Sequence, residues 1–574
     1  MQKKPQSLPI GVDDYKTMIQ ENCIHIDKTL LIKEFWEQGA SVTLVTRPRR
    51  FGKSITLSML KYFFEKTKPS TAHLFEKSKI WQESGFKELQ GTYPVIHLSF
   101  KEVTEESWED AYEQITEILV EELERVITPI ADSLSPLHKR QYEALITQTA
   151  SPIQFGNSLK FMSKVLELHY TKKVIILIDE YDTPITYSYL NKYYKKMVAF
   201  MKKLFSSGLK GNPHLHKGFM TGVVRTAKDG ILSGLNNPKI CTMLDKDYSD
   251  KFGFTEEDVK ELLQITHYEQ KEEEIKSWYN GYRIGIKYKK GPLTSSFFSK
   301  IYNPWSVLQY LSSACSPETY WANTGSTGLL ERLIAEADES TQKELKLLVE
   351  GNFLENKQIN QDVILLDLDK KKQEPWSFLF FAGYLTTSNH IFQNDQHYYT
   401  LGIPNKEIAS LYKKLVLSAI GKTFSSEKLN ELLDAIIFGN INKINTLLEE
   451  FICSMCSFHD IPQNDPERSL HMFVLGLLAS LSERYIIKSN LESGDGRYDI
   501  AMHPKKDNDP AILIEFKKGK DRKLENLAEQ ALKQITSKQY ESALKDFGYK
   551  GKVLCYGIAT FKKHLIAKTE SITL

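Results

Sequence analysis

The chain has 574 residues, well beyond the size at which one hydrophobic core stops growing, so we expect about two to four domains. Its 75 basic and 73 acidic residues nearly cancel, which excludes binding to nucleic acid or membrane through overall charge alone. The six scattered cysteines indicate a reducing compartment, and the apolar runs are too short to span a bilayer. We therefore expect a cytoplasmic protein with no membrane partner, in which any phosphate-binding surface is local.

The first 265 residues predict an α/β domain. Residues 41–46 are β-rich, and residues 54–65 carry Leu57, Leu60 and Phe63 at helical spacing, which indicates a strand, a loop and a helix. Apolar strands with helices between them favour a parallel sheet covered on both faces. Further strands are predicted at 93–100, 174–178 and 218–224, and further helices at about 106–128, 155–169 and 190–208.

The predicted loop has the residues of a phosphate site. It reads Arg47-Pro-Arg-Arg-Phe-Gly-Lys-Ser54, and a triphosphate needs helix N-terminal amides, a lysine for the outer phosphates and a hydroxyl for Mg²⁺. Gly52, Lys53 and Ser54 supply these in order, with Arg50 and Phe51 beside them. Arg47 stands where the generic pattern has its first glycine. The alternative is an ordinary helix N-terminus after a basic turn.

An acidic pair follows the apolar strand at 174–178. In nucleotidases of this type such a strand delivers an aspartate, here Asp179, to Mg²⁺, and the adjacent Glu180 activates the attacking water. Loop and acidic strand together predict an ATP–Mg²⁺ site far more specifically than either does alone. Arg225, just after the strand ending at Val224, is a candidate sensor of the γ-phosphate, and the alternative is a structural ion pair.

Residues 266–430 change to a mainly helical pattern with aromatic, turn-rich segments. A helix at 376–385, a β-like stretch at 397–401 and a helix from 405 are compatible with a winged-helix module. Farther on, Cys453-x-x-Cys456 with His459 nearby lacks the second ligand pair of a structural zinc site. The favoured interpretation is two small residues on one helix face.

Residues 431–574 predict a second, smaller α/β unit with its own acidic cluster. Glu515 and Lys517 share one face of a strand, and Asp499 stands near the start of the preceding strand. Two carboxylates and a lysine so placed can hold Mg²⁺ and orient water for phosphodiester cleavage, and Glu483 or Glu492 could add a third carboxylate. The alternative is an exposed Glu/Lys pair. The pattern predicts helices at 429–457, 469–485 and 524–544, and the last of these carries Gln530, Gln534 and Tyr540. It also predicts strands at 498–502, 511–516 and 552–558.

At this point the chain resembles the bacterial AAA-ATPase-like proteins that carry a C-terminal nuclease domain of the PD-(D/E)XK superfamily, in which an arginine in place of the first loop glycine is usual. The resemblance covers nearly the whole length. The segments that carry the resemblance are residues 8–11, 27–29, 47–54, 178–182, 233–236, 278–283, 302–305 and 496–517.

The resemblance implies a phosphate-loop domain of the additional-strand, catalytic-glutamate class and a restriction-endonuclease-like terminal domain. It places Lys53 on phosphate, Ser54 and Asp179 on Mg²⁺, and Glu180 as the base. In the terminal domain it implies Asp499, Glu515 and Lys517 as the nuclease motif and Gln534 as a fourth member, with Tyr498 where the superfamily name has proline.

We expect an ATP-dependent switch that controls or accompanies a Mg²⁺-dependent nuclease acting on DNA or RNA. The sequence leaves the oligomeric state open, although a homo-oligomer is a candidate because nucleotidases of this class often complete their site across subunits. One alternative is a nucleotide-switched assembly or nucleic-acid-binding module with a degenerate nuclease domain. A phosphotransferase is less favoured, because no acceptor pocket can be recognised in the sequence.

Overall fold

The computed structural model divides the described chain into two compact units, residues 1–329 with 353–408 and residues 330–352 with 409–574. No helix among the described residues is both long and apolar enough to cross a membrane. Described are residues 7–225, 238–288, 295–321, 330, 339–349, 351–361, 375–421, 426–455, 474, 478, 481, 484–489, 492–493, 496–497, 499–506, 509–519, 523–537, 549–561 and 564–574.

The core of the first unit is a parallel sheet with the order β2-β3-β4-β1-β5. Strand β4 therefore lies between β1, which precedes the phosphate loop, and β3, which carries the acidic pair. This confirms the additional strand that the family resemblance implied. The strands are β1 Val42–Thr46, β2 Val95–Ser99, β3 Val174–Asp179, β4 Leu215–Gly222 and β5 Lys239–Cys241.

Helices cover this sheet because its central strands are apolar on both faces. Every residue of β1 and β3 is buried, and each large apolar side chain so buried contributes roughly 1.5–3 kcal/mol. The predicted helices are present with shifted ends. The α-helices up to residue 266 are Tyr15–Gln20, Leu30–Glu37, Lys53–Phe64, Phe86–Leu89, Trp108–Val126, Pro136–Ile146, Pro152–Gly156, Ser158–Tyr170, Thr183–Leu190, Tyr194–Leu209 and Glu256–Thr266.

The middle region is helical with two small antiparallel sheets that the sequence did not predict in full. A hairpin pairs β6 Tyr282–Tyr288 with β7 Ser295–Ile301, and a three-stranded sheet has the order β8-β10-β9. Only β10 of that sheet was predicted, at 397–401. The remaining elements are the helices Glu272–Tyr279, Pro304–Ser312, Trp376–Phe381 and Lys406–Gly421 and the strands β8 Leu354–Lys357, β9 Thr386–Gln393 and β10 Gln396–Gly402.

The helix predicted at 376–385 ends earlier, at Phe381. Gly383 has a φ of +90°, which ends the helix, and a Cβ there would lie 2.7 Å from Cβ of Pro48. The chain beyond the helix thus passes directly against the phosphate loop. The close approach needs glycine on both counts.

The second unit contains a mixed sheet with the order β11-β14-β15-β16-β17, in which only β15 and β16 are parallel. Its strands are β11 Tyr485–Ser489, β14 Ile500–Pro504, β15 Ala511–Lys518, β16 Lys552–Phe561 and β17 His564–Thr573, with β12 Glu492–Ser493 and β13 Gly496–Arg497 as a separate pair. Its helices are Glu339–Val349, Ser426–Phe438, Ile441–Met455 and Leu524–Ser537.

Two helix predictions in this unit need correction. The single helix predicted at 429–457 is two helices, since Gly439 adopts a φ of +78° between them. The helix predicted at 469–485 is wrong at its end, because Tyr485 begins β11. Several predicted positions lie outside the described residues, namely 233–236, Cys456, His459, Glu483, Tyr498 and Tyr540.

Candidate functional site

The phosphate loop ends in a helix with an uncapped N-terminus. Gly52, at the N-cap of Lys53–Phe64, has a φ of 81° and Arg50 a φ of 63°. No side chain of the described residues caps this helix. Its first amides are therefore available to an anionic ligand, which the helix dipole also favours.

Lys53 points back along the loop. Its Nζ donates to the carbonyl oxygens of Arg47 at 3.3 Å and Pro48 at 3.1 Å, and it lies 3.8 Å from Oε1 of Glu180. The side chain is only 3% exposed. The ammonium thus joins the phosphate loop to the residue that follows β3.

Arg47, in the position of the missing glycine, is a structural anchor. It is fully buried and donates to the carbonyl oxygens of Thr46 at 2.8 Å, Cys241 at 3.1 Å and Tyr248 at 3.1 Å. Burial lowers the pKa of its guanidinium to about 10. The side chain ties the loop to the end of β5 and the segment beyond it. This explains why arginine can replace glycine without loss of the loop.

Asp179 and Ser54 meet at the ends of β3 and the loop. The hydroxyl of Thr221, in the intervening strand β4, donates to Oδ1 of Asp179 at 2.5 Å, and Ser54 also forms a hydrogen bond with the carboxylate. Burial, and then the charge of Glu180, raises the pKa of Asp179. A hydroxyl beside a buried carboxylate is the oxygen-rich donor set that suits Mg²⁺.

Glu180 adopts a left-handed φ of 49°, which is uncommon for a residue other than glycine. Its carboxylate accepts a hydrogen bond from the Thr183 hydroxyl at 2.9 Å and remains 19% exposed. The turn directs Glu180 into the cavity at the loop. Unlike the neighbouring Asp179, it is accessible to a ligand.

Tyr181 and Asp182 shape the neighbouring turn. Oδ2 of Asp182 accepts from the amides of Val223 at 2.9 Å and Val224 at 2.8 Å, and the Tyr181 hydroxyl donates to the Val224 carbonyl at 2.8 Å. These bonds hold the chain immediately before Arg225. Arg225 itself does not line the cavity at the loop.

A cavity of about 380 Å³ opens at the loop, within the first unit. Gly52, Lys53, Ser54 and Glu180 form its polar end. Apolar side chains also line it: Ile24 and Ile26 from the N-terminal segment, Phe254 from the end of the α/β region, and Trp305 and Leu308 from the middle region.

Two tryptophans of the middle region hold the loop arginines, a role that sequence reasoning missed. The Trp321 indole donates to the Arg49 carbonyl at 3.0 Å, and the Arg50 guanidinium lies 4.6 Å from the Trp305 ring centroid. Asn303 caps the helix that carries Trp305. The aromatic, turn-rich segments of residues 266–430, among them 302–305 and 321–325, were the available signal in the sequence.

The predicted nuclease residues meet at one end of the second sheet. Oδ2 of Asp499 accepts from the Phe516 amide at 2.7 Å, and Lys517 Nζ lies 3.5 Å from Oε1 of Glu515. Gln534, on helix Leu524–Ser537, donates to Oε1 of Glu515 at 2.5 Å and accepts a hydrogen bond from Lys517. The structure thus brings these four polar residues together, Gln534 included.

Glu515 is the residue of this cluster whose pKa is shifted most clearly. Burial, and then the charge of Asp499, raises its pKa to about 7. Its Oε2 is buried and has no hydrogen-bond partner among the described residues. An unpartnered carboxylate oxygen facing a second carboxylate fits a divalent cation.

A third carboxylate is not established. Glu492 lies in β12, but its side chain is outside the described part. Within the described residues, no group of three His, Cys, Asp or Glu side chains could hold a metal ion. Gln530, one turn before Gln534, is exposed. The four cysteines whose side chains are described, Cys23, Cys241, Cys315 and Cys555, are free and buried.

Comparison with known proteins identifies two domains. Residues 9–232 match the family model described as Predicted AAA-ATPase, and residues 465–570 match that of the PD-(D/E)XK nuclease superfamily. The chain is also 25% identical over 545 residues, 93% of each chain, to a protein of Azotobacter chroococcum mcd 1 described as an uncharacterized protein in the vnfD 5' region. No solved structure gives a significant match. The chain therefore combines an AAA-ATPase-like domain with a PD-(D/E)XK nuclease superfamily domain.

Proposed function

We propose that this protein binds and hydrolyses ATP with Mg²⁺ and that this activity controls or accompanies a Mg²⁺-dependent nuclease acting on DNA or RNA. The proposal divides the chain into an ATPase domain at 1–265, a helical region at 266–430 and a nuclease-like domain at 431–574. The observation that carries it is the convergence of Lys53, Ser54 and Glu180 at one cavity, with the buried Asp179 hydrogen-bonded to Ser54. We also propose a cytoplasmic location, with a homo-oligomer as the candidate assembly.

In the ATPase domain, Ser54 and Asp179 would hold Mg²⁺. The bound ion supplies positive charge that offsets the charge of the phosphates. Lys53, released from the carbonyls of Arg47 and Pro48, binds the outer phosphates, and Glu180 accepts a proton from the attacking water. The helix amides from Gly52 onward receive the inner phosphates.

The remaining assignments complete the phosphate end of the cavity. Arg50 and Phe51 belong to the loop that surrounds the nucleotide. Arg225, on the segment that Asp182 holds in place, stays the candidate sensor of the γ-phosphate, although its side chain does not line the cavity in this structure.

In the nuclease-like domain, Asp499 and Glu515 would hold Mg²⁺. The ion supplies Lewis acidity toward a phosphodiester oxygen. Lys517 orients or deprotonates the attacking water, and Gln534 keeps Lys517 and Glu515 in register through its two hydrogen bonds. The carboxylate pair and the lysine share one end of the sheet, as a cleavage site requires.

Two measurements test the two halves separately. ATP turnover should be lost in Lys53→Ala and retained in Lys61→Ala, a substitution farther along the same helix. Turnover unaffected by Lys53→Ala removes the nucleotide assignment. Plasmid and single-stranded substrates with Mg²⁺ or Mn²⁺ should be cut by the wild type but not by Asp499→Ala or Glu515→Ala.

The second candidate is a nucleotide-switched binding or assembly module whose nuclease domain is degenerate. It predicts that ATP changes the mass in solution or the DNA affinity without turnover. Failure of the wild type to cleave any nucleic acid, combined with intact binding, would select this candidate.

A further inference from the structure

Three partly exposed aromatic rings meet at the edge of the first sheet where its strands begin. The ring centroids of Trp36 and His216 are 5.1 Å apart, those of Tyr93 and His216 are 4.8 Å apart, and those of Trp36 and Tyr93 are 5.5 Å apart. Tyr93 precedes β2 and His216 lies at the start of β4. Because the strands are parallel, this edge is opposite to the one that carries the phosphate loop.

Lysines surround these rings. Lys172 and Lys173 directly precede β3 and are exposed, and Nζ of Lys172 lies 4.7 Å from the centroid of Tyr93. Burial, followed by the charges of Lys217, Lys173 and Lys172, lowers the pKa of His216. The three lysines therefore lie close enough to His216 to disfavour its protonation.

Some of the charged side chains in this cluster already bond to other protein groups among the described residues, and others do not. Nζ of Lys217 donates to the carbonyl oxygens of Phe35 and Gln38, so this side chain is structural. Of the acidic groups nearby, Glu65 bonds Arg125 and Glu167 bonds His214 at 2.5 Å. Lys172 and Lys173 are thus the exposed charges of the cluster.

We propose that this edge binds single-stranded nucleic acid, with Lys172 and Lys173 on phosphates and an unpaired base stacked on Tyr93. An incoming base takes the ring face that Lys172 covers, and the displaced ammonium moves to the adjoining phosphate. Exposed rings among basic side chains bind single strands because every base has a face that can stack, whereas paired bases hide theirs. The inference rests on nucleic acid as the partner in the proposed function, but requires neither ATP turnover nor cleavage.

The test measures fluorescence anisotropy of a labelled oligo(dT) of about 16 nucleotides, long enough for one such surface. The full chain is used with EDTA and without ATP, so that cleavage does not interfere. The variant Lys172→Gln/Lys173→Gln is compared with Lys195→Gln/Lys202→Gln, which removes two exposed lysines from helix Tyr194–Leu209.

We expect the first pair to weaken binding about tenfold and to reduce the slope of log affinity against log salt by about 1.4, since each single-strand phosphate contact contributes about 0.7. The Lys195→Gln/Lys202→Gln variant should leave both the affinity and the salt slope unchanged. Tyr93→Leu should weaken single-strand binding about tenfold and leave duplex binding unchanged, whereas Tyr93→Phe retains the ring and the affinity.

Affinity of the Lys172→Gln/Lys173→Gln variant within twofold of the wild type overturns the proposal. An equal loss in both lysine pairs also overturns it, because it shows only an effect of net charge. If Tyr93→Leu does not fold, the exposed lysine pair decides alone. ATP turnover of the lysine variants should equal that of the wild type, so failure here is distinct from failure of the nucleotide or nuclease assignments.

Discussion

Nζ of Lys53 lies 3.8 Å from Oε1 of Glu180, which joins the first residue of the loop helix to the residue that follows β3. The lysine is 3% exposed and the glutamate 19%. A ligand that draws the ammonium toward its own phosphates therefore weakens the ion pair of Glu180. Phosphate binding and release of the proposed base are thus coupled through one contact.

The first prediction concerns Glu180→Gln. The amide cannot accept a proton from water, so we expect ATP turnover to fall by roughly 10²–10⁴-fold. ATP affinity should be equal or higher, because a negative charge beside the phosphates is removed. Turnover assays and calorimetric titration measure the two effects, with the exposed Glu102→Gln as control. A variant that hydrolyses ATP at the wild-type rate would contradict the assignment of Glu180 as base.

The second prediction concerns Thr221→Val in the intervening strand. It removes the 2.5 Å hydrogen bond to Asp179 without changing the side-chain volume much. A hydrogen bond to a charged group is worth about 1.5–3 kcal/mol, so we expect Mg²⁺–ATP affinity to fall roughly tenfold. The matched control is Thr116→Val, a buried threonine on helix Trp108–Val126. Equal affinities of the Thr221 and Thr116 variants would show that the contact does not position Asp179.

The third prediction compares two glutamines on one helix. Gln534 bonds both Glu515 and Lys517, whereas Gln530, one turn away, is exposed. Removing a partner that orients metal ligands typically costs about 10–100-fold in activity or metal affinity. We expect that loss in Gln534→Ala and none in Gln530→Ala, measured as Mn²⁺ affinity and as plasmid cleavage. If the two variants behave identically, Gln534 contributes only packing and does not orient Glu515 and Lys517.

The sequence predicts those parts of the fold that depend on local pattern. The β-rich strand β1, the apolar run of β3 and the helix after Gly52 are found where the sequence pattern placed them. Strand β5 was not predicted because Lys239–Cys241 is too short to give a periodic hydrophobic pattern. The hairpin of β6 and β7 was missed because its residues lie in a region assigned to helices from its surroundings.

The same limit applies to the candidate sites: residue types and their spacing can be recognised in the sequence, whereas contacts with distant backbone atoms cannot. Residue types and spacing predicted that Lys53 and the acidic pair Asp179–Glu180 belong to one site and that Glu515 and Lys517 share one strand face, whereas the direct contact of Lys53 with Glu180 was not predicted. The role of Arg47 could not be predicted, because its acceptors include carbonyls of Cys241 and Tyr248, far along the chain. Side-chain pattern alone does not show which backbone oxygens a buried cation will meet.

The fourth prediction concerns Glu407, a buried carboxylate outside both proposed sites. It accepts from the Trp321 amide at 2.6 Å and from the Ser306 hydroxyl at 2.7 Å. Burial nevertheless raises its pKa to about 7. The folded state therefore keeps a proton that the unfolded chain loses near its ordinary pKa. The contribution of this group to stability is favourable at acidic pH and is lost as the pH rises through about 7.

We accordingly expect Glu407→Gln to remove part of the pH dependence of unfolding. Relative to the variant, the wild type should lose up to about 3 kcal/mol between pH 5 and pH 8, from a shift of about two to three pKa units. Urea unfolding at several pH values measures this, with Glu355→Gln, an exposed residue of the same unit, as control. If wild type and Glu407→Gln show the same slope of unfolding free energy against pH, the buried carboxylate is already ionised in the folded protein. The hydrogen bonds from Trp321 and Ser306 would then outweigh its burial.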